Sequence, residues 1–284
     1  MFRNKQFVSI VAIVKDEEPF LDEWLVYHRM LGVDHFFLYD DDPRFPLQDY
    51  LAPHKAYVTV VPWAGMDQHL PGRMNQVKAY IHAVVKFGAR FEWMGFIDID
   101  EFVVLYQHDS LKDYLQVFPQ ANAVSLRWHV FGHNGFYDNP PGLVTSSLTR
   151  RMRKPGAQDK TFTRPHAIAY IESPHFCGLS DGIRVDANGR PFRQEAEEAD
   201  PLWACINHYQ CRSFTQWMHR VKRGDVNFKA DNAPSSEQWR ITEEACLRQF
   251  VTTVARDKNE YVDEYMVRYG HAIEQGLKRL NRIS

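Results

Sequence analysis

Residues 7–20 read Phe-Val-Ser-Ile-Val-Ala-Ile-Val-Lys-Asp-Glu-Glu-Pro-Phe, an apolar run that changes at once into a charged segment. The run from Phe7 to Val14 is rich in β-branched residues, which is typical of a strand buried on both faces of a parallel sheet. Glu18 and Pro19 favour the start of a helix, because proline is tolerated in the first turn and acidic side chains there favour the helix dipole. A buried strand followed directly by a helix predicts an α/β fold.

The alternation of strand and helix continues over roughly the first hundred residues. Apolar runs predict further strands at His35–Tyr39, Tyr57–Val61 and Trp93–Ile97, and helical periodicity predicts a helix from Pro71 to Phe87. Such alternation favours right-handed crossovers and a mainly parallel central sheet flanked by helices. From about 121 to 210, glycine, proline and histidine interrupt the pattern, and we expect a loop-rich segment over the same sheet edge.

The last part of the chain is expected to be helical. A capping box beginning at Ser213 predicts a short basic helix. From Thr242 onward the pattern is helical again, with tyrosines at every fourth residue from 261 to 269. We predict one main domain over residues 1–240 and a helical C-terminal extension, residues 241–284, packed on or next to it.

The composition is that of a protein with a packed core and no strong charge bias. The 284 residues are 44% hydrophobic and 25% charged, and 34 Lys and Arg against 36 Asp and Glu give a net charge of -2. This near-balance argues against a protein that coats nucleic acid. The 4 cysteines are too few and too scattered for a disulfide framework. No run reaches the ~18 apolar residues of a membrane span, so we expect a soluble, cytoplasmic protein, with peripheral contact at the inner membrane face left open.

Charged residues follow three of the predicted strands, at Lys15-Asp16-Glu17, Asp40-Asp41-Asp42 and Asp98-Ile99-Asp100. Ligands of such sheets bind beyond the carboxyl ends of the strands, so this convergence predicts the functional site. Just past a strand end, Asp98 and Asp100 can both reach one hard cation. A divalent ion there can hold a diphosphate and neutralise charge on a leaving nucleotide. The alternative for an isolated Asp-x-Asp pair is a solvated acidic turn.

Two long stretches and several shorter motifs carry a family resemblance. They are Val8–His28, Leu31–Asp40, Trp93–Phe102, Trp128–Gly132 with Gly135, Lys160 with Arg164 and Pro165, and Asn207–Tyr209 with Ser213, Lys222, Arg223 and Gly224. In this order they resemble GT-A fold glycosyltransferases, and more narrowly glycosyltransferase family 92 and the bacterial family 2-like group. The resemblance covers residues 7 to 225 approximately, and the final 60 or so residues carry none of it.

The resemblance implies a nucleotide-sugar donor, first of all a UDP-sugar, and a divalent metal, Mn²⁺ or Mg²⁺. The nucleotide contacts that it implies are Ala12, Val14, Asp16, Glu17, Asp40 and Asp98. It makes Asp100 the main metal ligand, with Asp98 beside it and His208, or else His175, completing the site. The cations expected to bind the diphosphate are Lys160, Arg164, Lys222 and Arg223. For the last two, a solvated helix face is the alternative.

The catalytic base is the least defined part of this expectation. An inverting transferase needs a carboxylate to deprotonate the acceptor hydroxyl. Family members often carry a glutamate after a Pro-Gly-Leu-Val stretch, but residues 141–149 here contain none. Asp138, Glu172 and Asp181 are the candidates, and we favour Asp138. Inversion therefore rests on the resemblance alone.

Three other interpretations stay open at this point. An apolar strand ending in Asp98-x-Asp100 also fits haloacid-dehalogenase-like phosphatases, although their motif normally lies on the opening strand. A structural zinc site is conceivable from His175, Cys177, Cys205, His208 and Cys211. A non-catalytic nucleotide or sugar binder on the same fold is the third. We favour a metal-dependent glycosyltransferase that moves a hexose to a glycan or glycolipid acceptor in polysaccharide biosynthesis, without nucleic acid and with an undetermined oligomeric state.

Overall fold

The computed structural model describes residues 5–42, 47–66, 74–193, 202–223, 247–248, 250–255 and 258–280. The strands of the main sheet are β1 (Gln6–Val14), β2 (His35–Asp40), β3 (Val58–Pro62), β4 (Phe91–Phe96), β5 (Glu101–Leu105), β6 (Ala121–Val130), β8 (Asp159–Thr163), β11 (Ile183–Asp186) and β12 (Ala204–His208). Outside it, β7 (Arg150–Arg151) pairs with β13 (Tyr261–Val262), and β9 (Ile168–Ser173) pairs with β10 (Phe176–Leu179).

The described α-helices differ widely in length. They are α1 (Glu18–Met30), α2 (Leu47–Tyr50), α3 (Asn75–Phe87), α4 (Leu111–Gln116), α5 (Val144–Ser147), α6 (Phe214–Arg223) and α7 (Gly270–Arg279). Short 3-10 turns cover Ala52–His54, Gly88–Arg90, Pro165–Ala167 and Tyr265–Tyr269, and a π turn covers Phe250–Ala255. No helix in these described ranges is long and apolar enough to cross a bilayer.

The order of strands in the main sheet is β3-β2-β1-β4-β8-β6-β12-β5, with β11 beside β6. Strands β1 to β4 run parallel to one another, and β12 runs parallel to β6. Strand β8 is antiparallel to both β4 and β6, and β5 is antiparallel to β12. The carboxyl ends of β1, β2, β3, β4, β6 and β12 therefore share one edge, where β5 and β8 begin. We call this edge the acidic edge. The mainly parallel α/β architecture confirms the predicted fold class.

Strand β1 is buried on both faces, as its continuous apolarity predicts. Val8, Ile10 and other residues of one face lie in the larger hydrophobic core with α1. Val11 and Ile13, on the other face, lie in a second core with α3. The helices α1 and α3 therefore cover opposite faces of the sheet, and the strand ends are held firmly in register.

The middle and the end of the chain differ from expectation. Residues 121–210 contain more strands than expected, β6 to β12, although loops join them. Polar residues of β8 and β12 are buried in the sheet through pairing with distant partners. The helical pattern expected from Thr242 is interrupted at Tyr261–Val262, which form a strand opposite Arg150 and Arg151, whereas Gly270–Arg279 form a helix as expected. Residues 242–246 and the 240/241 domain boundary lie outside the described residues.

Candidate active site

The Asp-x-Asp motif lies in the tight turn that joins β4 to β5 at the acidic edge. The Glu101 N–H donates to the Asp98 carbonyl at 3.1 Å, and the Asp98 N–H donates to Glu101 Oε2 at 2.7 Å. These reciprocal bonds hold the turn. The Asp98 side chain is 32% exposed, whereas Asp100 and Glu101 are buried. The two aspartates of the motif therefore have different surroundings.

Asp98 is held from two sides. Lys160 Nζ, at the start of β8, lies 2.9 Å from Asp98 Oδ2 and 3.3 Å from Glu101 Oε2. On the other side, Gln76 Nε2 on α3 donates to Asp98 Oδ1 at 2.5 Å, and Tyr80 Oη lies 3.5 Å from the same oxygen. Both carboxylate oxygens therefore have partners supplied by rigid elements, which fixes the rotamer of Asp98 at the cleft.

Lys160 is a buried cation stabilised by this pairing. Its side chain has no exposed surface. Burial by itself would lower the pKa of Lys160, but the carboxylates of Asp98 and Glu101 outweigh burial and hold that pKa above its ordinary value. In the opposite sense, burial raises the pKa of Glu101 well above its ordinary value, although Lys160 opposes this.

Asp100 faces a different set of partners. Arg220 Nη1 on α6 lies 2.9 Å from Asp100 Oδ2, and His208 Nε2 at the end of β12 lies 3.4 Å from the same atom. Burial lowers the pKa of His208, although the carboxylate of Asp100 opposes this. Arg220 is the permanently charged cation beside Asp100. Burial would raise the pKa of the Asp100 carboxyl, but the neighbouring His208 and Arg220 hold it well below its usual range.

We tested whether these side chains fit a divalent cation. Two ligands at right angles, with bonds of about 2.1 Å, lie about 3 Å apart, close to the separation of Asp100 Oδ2 and His208 Nε2. His208 Nδ1 is buried and has no hydrogen-bond partner among the described residues. No contact of Nδ1 therefore fixes whether Nε2 carries the proton. A carboxylate suits Mg²⁺ or Mn²⁺, and imidazole suits borderline ions. Asp100 and His208 therefore fit such a cation.

The two aspartates and His208 do not form one compact triad. The described residues were compared for groups of three acidic, histidine or cysteine side chains with all ligand atoms within 4.8 Å of one another. Such a group is formed by Asp16, Glu18 and Asp42. Asp98 therefore does not join Asp100 and His208 at that distance. The predicted sharing of one ion by Asp98 and Asp100 stays a prediction.

The ends of β1 and β2 supply the rest of the acidic edge. Val14 is paired with Asp40 in the register of the two strands. Asp16 has a φ of 51°, a left-handed conformation that is uncommon for aspartate and turns the chain sharply after β1. Glu17 accepts from Arg212 Nη1 at 2.6 Å, and this buried ion pair ties the turn to the segment after β12. Burial raises the pKa of Asp40 at its strand end.

Several other predicted residues have been placed by the fold. The side chains of Ala12 and Val14 lie in the hydrophobic core, so only their backbone atoms are left for a ligand. Asp138 is exposed in the loop between β6 and α5. The side chains of Lys222 and Arg223 lie outside the described part of α6.

His175 and Trp128 lie close to His208. The ring centroid of Trp128 is 4.2 Å from that of His208 and 5.1 Å from that of His175. Burial lowers the pKa of His175 to about 4, with Lys160 acting in the same direction. His208, which lies beside Asp100, is therefore better placed as a ligand of that carboxylate's ion than His175.

The structure corrects the expectation for Arg164. This residue follows β8 at the opposite edge of the sheet, where its Nε donates to the Ala121 carbonyl at 3.1 Å. Strand β8 runs antiparallel to β4, so its first residues reach the acidic edge and its end does not. Arg164 is therefore wrong as a diphosphate ligand. Asp181, a candidate base, also lies there, since its carbonyl accepts from Asn122 at 3.2 Å.

The residues proposed for a zinc site are not assembled. Cys177 Sγ contacts Thr163 at 3.2 Å, and Cys205 Sγ contacts His129 Nδ1 at 3.5 Å. Cys211 belongs to a separate small core with Phe250. Among the side chains that the structure describes, these cysteines and histidines form no group of three within 4.8 Å.

Sequence reasoning missed Arg220 and Arg212. Arg220 lies on the basic helix that the sequence predicted, but attention fell on Lys222 and Arg223 nearby. Its position two helical turns after the cap at Ser213 is the signal that could have singled it out. Arg212 pairs with a residue 195 positions earlier, and nothing local in the sequence indicates such a contact.

The sheet is mainly parallel, and its carboxyl edge carries carboxylates, a histidine and buried cations. These features are typical of α/β proteins that bind their ligand at that edge. The chain belongs to glycosyltransferase family 92, whose sequence profile matches residues 5–248. The resemblance drawn from the motifs is thereby confirmed.

The chain is similar to several plant members of the family. It is 27% identical to a family 92 protein of Oryza sativa subsp. japonica over 237 residues, covering 81% of this chain and 37% of that protein. It is 26% identical to one of Ricinus communis over 235 residues, covering 79% and 39%. It is 26% identical to one of Arabidopsis thaliana over 248 residues, covering 80% and 39%. The chain thus spans about two fifths of the length of these relatives.

Similarity to solved structures is more distant. The chain resembles S. aureus TarS with 13% identity and a TM-score of 0.36, covering 88% of this chain and 74% of that one. It resembles glucosyl-3-phosphoglycerate synthase from Mycobacterium tuberculosis, solved with phosphoglyceric acid, with 14% identity and a TM-score of 0.34, covering 57% and 58%.

Proposed function

We propose that this protein is a metal-dependent glycosyltransferase that moves a hexose from a nucleotide-diphosphate sugar, first of all a UDP-sugar, to a saccharide-type acceptor. The observation that carries the proposal is the placement of Asp100 beside His208 and Arg220 at the carboxyl edge of the sheet, in a chain of family 92. A donor of this kind brings a negatively charged diphosphate, and this edge supplies the groups that can hold it.

Each group of the site has a proposed task. Asp100 and His208 would hold a divalent cation, which supplies Lewis-acid stabilisation of the leaving diphosphate. Asp98 would contact the ribose, and its partners Lys160, Gln76 and Tyr80 keep its carboxylate in place. Such fixed polar groups stabilise developing charge without reorganising during the reaction.

The transfer step itself needs a base on the acceptor side. We propose that Asp138, exposed in the β6–α5 loop, accepts the proton of the acceptor hydroxyl. The acceptor oxygen then forms a bond to the anomeric carbon while the bond from that carbon to the donor phosphate oxygen breaks, with inversion. The acceptor is a glycan or glycolipid, in keeping with a role in polysaccharide assembly.

The test is a screen of nucleotide-sugars with and without Mn²⁺, read as thermal stabilisation and as donor hydrolysis or transfer. We expect UDP and one UDP-sugar to stabilise the protein in Mn²⁺ but not in EDTA. Asp100→Ala should abolish the metal-dependent stabilisation by UDP, because it removes the main proposed ligand.

The matched control is Asp109→Ala. It removes one carboxylate from an exposed loop after β5, away from the acidic edge. This variant should keep the stabilisation of the wild type. An unchanged UDP shift in Asp100→Ala would refute the role of Asp100. Stabilisation without donor hydrolysis or transfer would instead indicate a non-catalytic binder.

A further inference from the structure

Arg220 makes a contact that the expected metal site also requires. Its Nη1 donates to Asp100 Oδ2 at 2.9 Å and to the Gln210 carbonyl at 3.2 Å. The Arg220 side chain is 37% exposed, in contrast to the 7% of Asp100. Within the described residues, both hydrogen bonds of Arg220 start from Nη1, so its Nη2 and Nε remain available to an anion.

Two other cations among the described residues of this edge, Lys160 and Arg212, are committed differently. Lys160 is fully buried between Asp98 and Glu101. The Arg212 side chain is 4% exposed, donates to Glu17 and lies over the ring of Phe20. Compared with these two, Arg220 has the exposure and the spare donors that a phosphate group needs. A guanidinium group matches phosphate oxygens with two parallel N–H bonds.

Arg220 and a divalent cation would meet at one atom. The oxygen that Arg220 contacts, Asp100 Oδ2, is also the oxygen that faces His208 Nε2. A cation bound by these two ligands would lie within a few ångströms of the guanidinium. Like charges at that distance repel strongly at a largely buried carboxylate. The two cations therefore compete for Asp100.

We propose that Arg220 and the divalent cation exchange on Asp100. Without the cation, Arg220 holds and neutralises the carboxylate. Binding of the cation releases the guanidinium, which then binds the diphosphate of the donor. This inference rests on the proposed function, since it takes the ligand to be a nucleoside diphosphate. It makes metal binding and nucleotide binding cooperative, with the same coupling factor in both directions.

The test is calorimetric titration of the full chain with Mn²⁺ alone, with UDP in EDTA, and with each in the presence of the other. In Arg220→Gln, Asp100 loses its competing cation, so Mn²⁺ alone should bind about tenfold more tightly than to the wild type. UDP should bind about tenfold more weakly in saturating Mn²⁺, because the phosphate loses a donor. The opposite signs of these two changes identify the exchange.

Two further variants complete the experiment. Arg220→Lys keeps the charge but not the planar fork, and should give intermediate values for both affinities. It decides the question if Arg220→Gln does not fold, which circular dichroism would show. Arg29→Gln, with the same loss of charge at the opposite edge of the sheet, should bind both ligands like the wild type.

The outcomes separate this inference from the proposed function. Normal binding of Mn²⁺ and UDP by the wild type, with Mn²⁺ affinity unchanged or lowered in Arg220→Gln, would overturn the exchange alone. Absence of UDP binding by the wild type in Mn²⁺ would overturn the proposed function, and the exchange with it.

Discussion

At the scale of single residues, Lys160 decides how three carboxylates can lie within one tight turn. Asp98, Asp100 and Glu101 are close in sequence, and two of them are buried. Carboxylates so close together would normally repel, and a buried one would take up a proton. Lys160 contacts Asp98 and Glu101, and Arg220 contacts and compensates Asp100. Each carboxylate of the acidic turn therefore contacts a cation, and Asp98 and Glu101 share theirs.

This arrangement predicts that Lys160→Met is strongly destabilising at pH 7. The substitution keeps much of the side-chain volume but removes the cation that Asp98 and Glu101 share, and breaking a buried ion pair typically costs about 3–5 kcal/mol. The free energy of unfolding, from urea denaturation, measures the loss. The double variant Lys160→Met/Glu101→Gln replaces both members of the fully buried pair by neutral side chains and should regain a large part of this loss. If the double variant were no more stable than the single one, the pair would not be coupled.

At the scale of elements, α1 carries more than an apolar face. Trp24 Nε1 donates to the Glu101 carbonyl at 2.8 Å, and Tyr27 Oη donates to the Val103 carbonyl at 2.7 Å. The Val103 N–H in turn donates to His28 Nε2 at 3.2 Å. One helix face thus satisfies the free backbone groups along β5, the last strand of the sheet order. The helix fixes the strand that begins with Glu101.

The contact of His28 with β5 predicts a pH dependence of stability. His28 Nδ1 donates to the Trp24 carbonyl and Nε2 accepts from Val103, so the buried ring is neutral. Burial lowers the pKa of His28 to about 3 in the folded protein, against an ordinary value of about 6.5. Below pH 6.5 the unfolded chain binds a proton that the folded protein does not. This group's contribution to stability is therefore complete above pH 6.5 and is lost as pH falls towards 3, by up to about 1.4 kcal/mol per pH unit.

The measurement compares wild type and His28→Gln by urea denaturation between pH 7 and pH 4.5. The variant should be less stable at pH 7, because it disturbs a buried hydrogen-bonded group, but the difference should shrink as pH falls. His271→Gln removes an exposed imidazole from α7 and should follow the wild-type pH profile. A constant difference between wild type and His28→Gln would show that His28 does not titrate in this way.

The sequence predicted the elements whose buried residues are apolar. Strand β1 and helices α1 and α3 follow from local periodicity, and the structure has them close to the predicted bounds. Strand β8 reads Asp-Lys-Thr-Phe-Thr, yet all five of its residues are buried. Its lysine is buried because it meets a carboxylate 62 residues earlier, a pairing that no local pattern shows. Such strands become visible only in three dimensions.

The location of the candidate site could be predicted from the sequence, but the pairing of its charges could not. Acids at strand ends indicate the acidic edge, since topology alone brings the ends of parallel strands together. The register of β1 and β2 places Asp40 opposite Val14, as that reasoning requires. The assignment of counterions was not predictable. Arg220 and Arg212 come from the segment after β12, and which carboxylate each one meets depends on how that segment packs.

At the scale of the whole molecule, the C-terminal residues are tied to the sheet and to α1. Tyr265 Oη donates to the Leu105 carbonyl at 2.7 Å, and Arg151 Nε lies 2.7 Å from Asp263 Oδ2. Helix α7 packs on α1, with Ile273 and Leu277 in the larger core. Helix α1 also fixes β5, which starts at the Asp-x-Asp turn. The C-terminal residues therefore stabilise the acidic edge indirectly, through α1 and β5. We therefore expect stability, rather than catalysis, to depend on this helix.

Gly276 of α7 gives this docking a sharp test. A Cβ added there would lie 2.4 Å from Val26 Cγ1 of α1, a buried, stiff β-branched side chain. Gly276→Ala raises intrinsic helix propensity by about 1 kcal/mol, but overpacking typically costs about 1–3 kcal/mol. We expect a net loss of stability of up to about 2 kcal/mol in thermal or urea unfolding. Gln275→Ala, exposed on the same helix, should change stability little. A stabilised Gly276→Ala variant would mean that α7 does not pack this closely on α1 in solution.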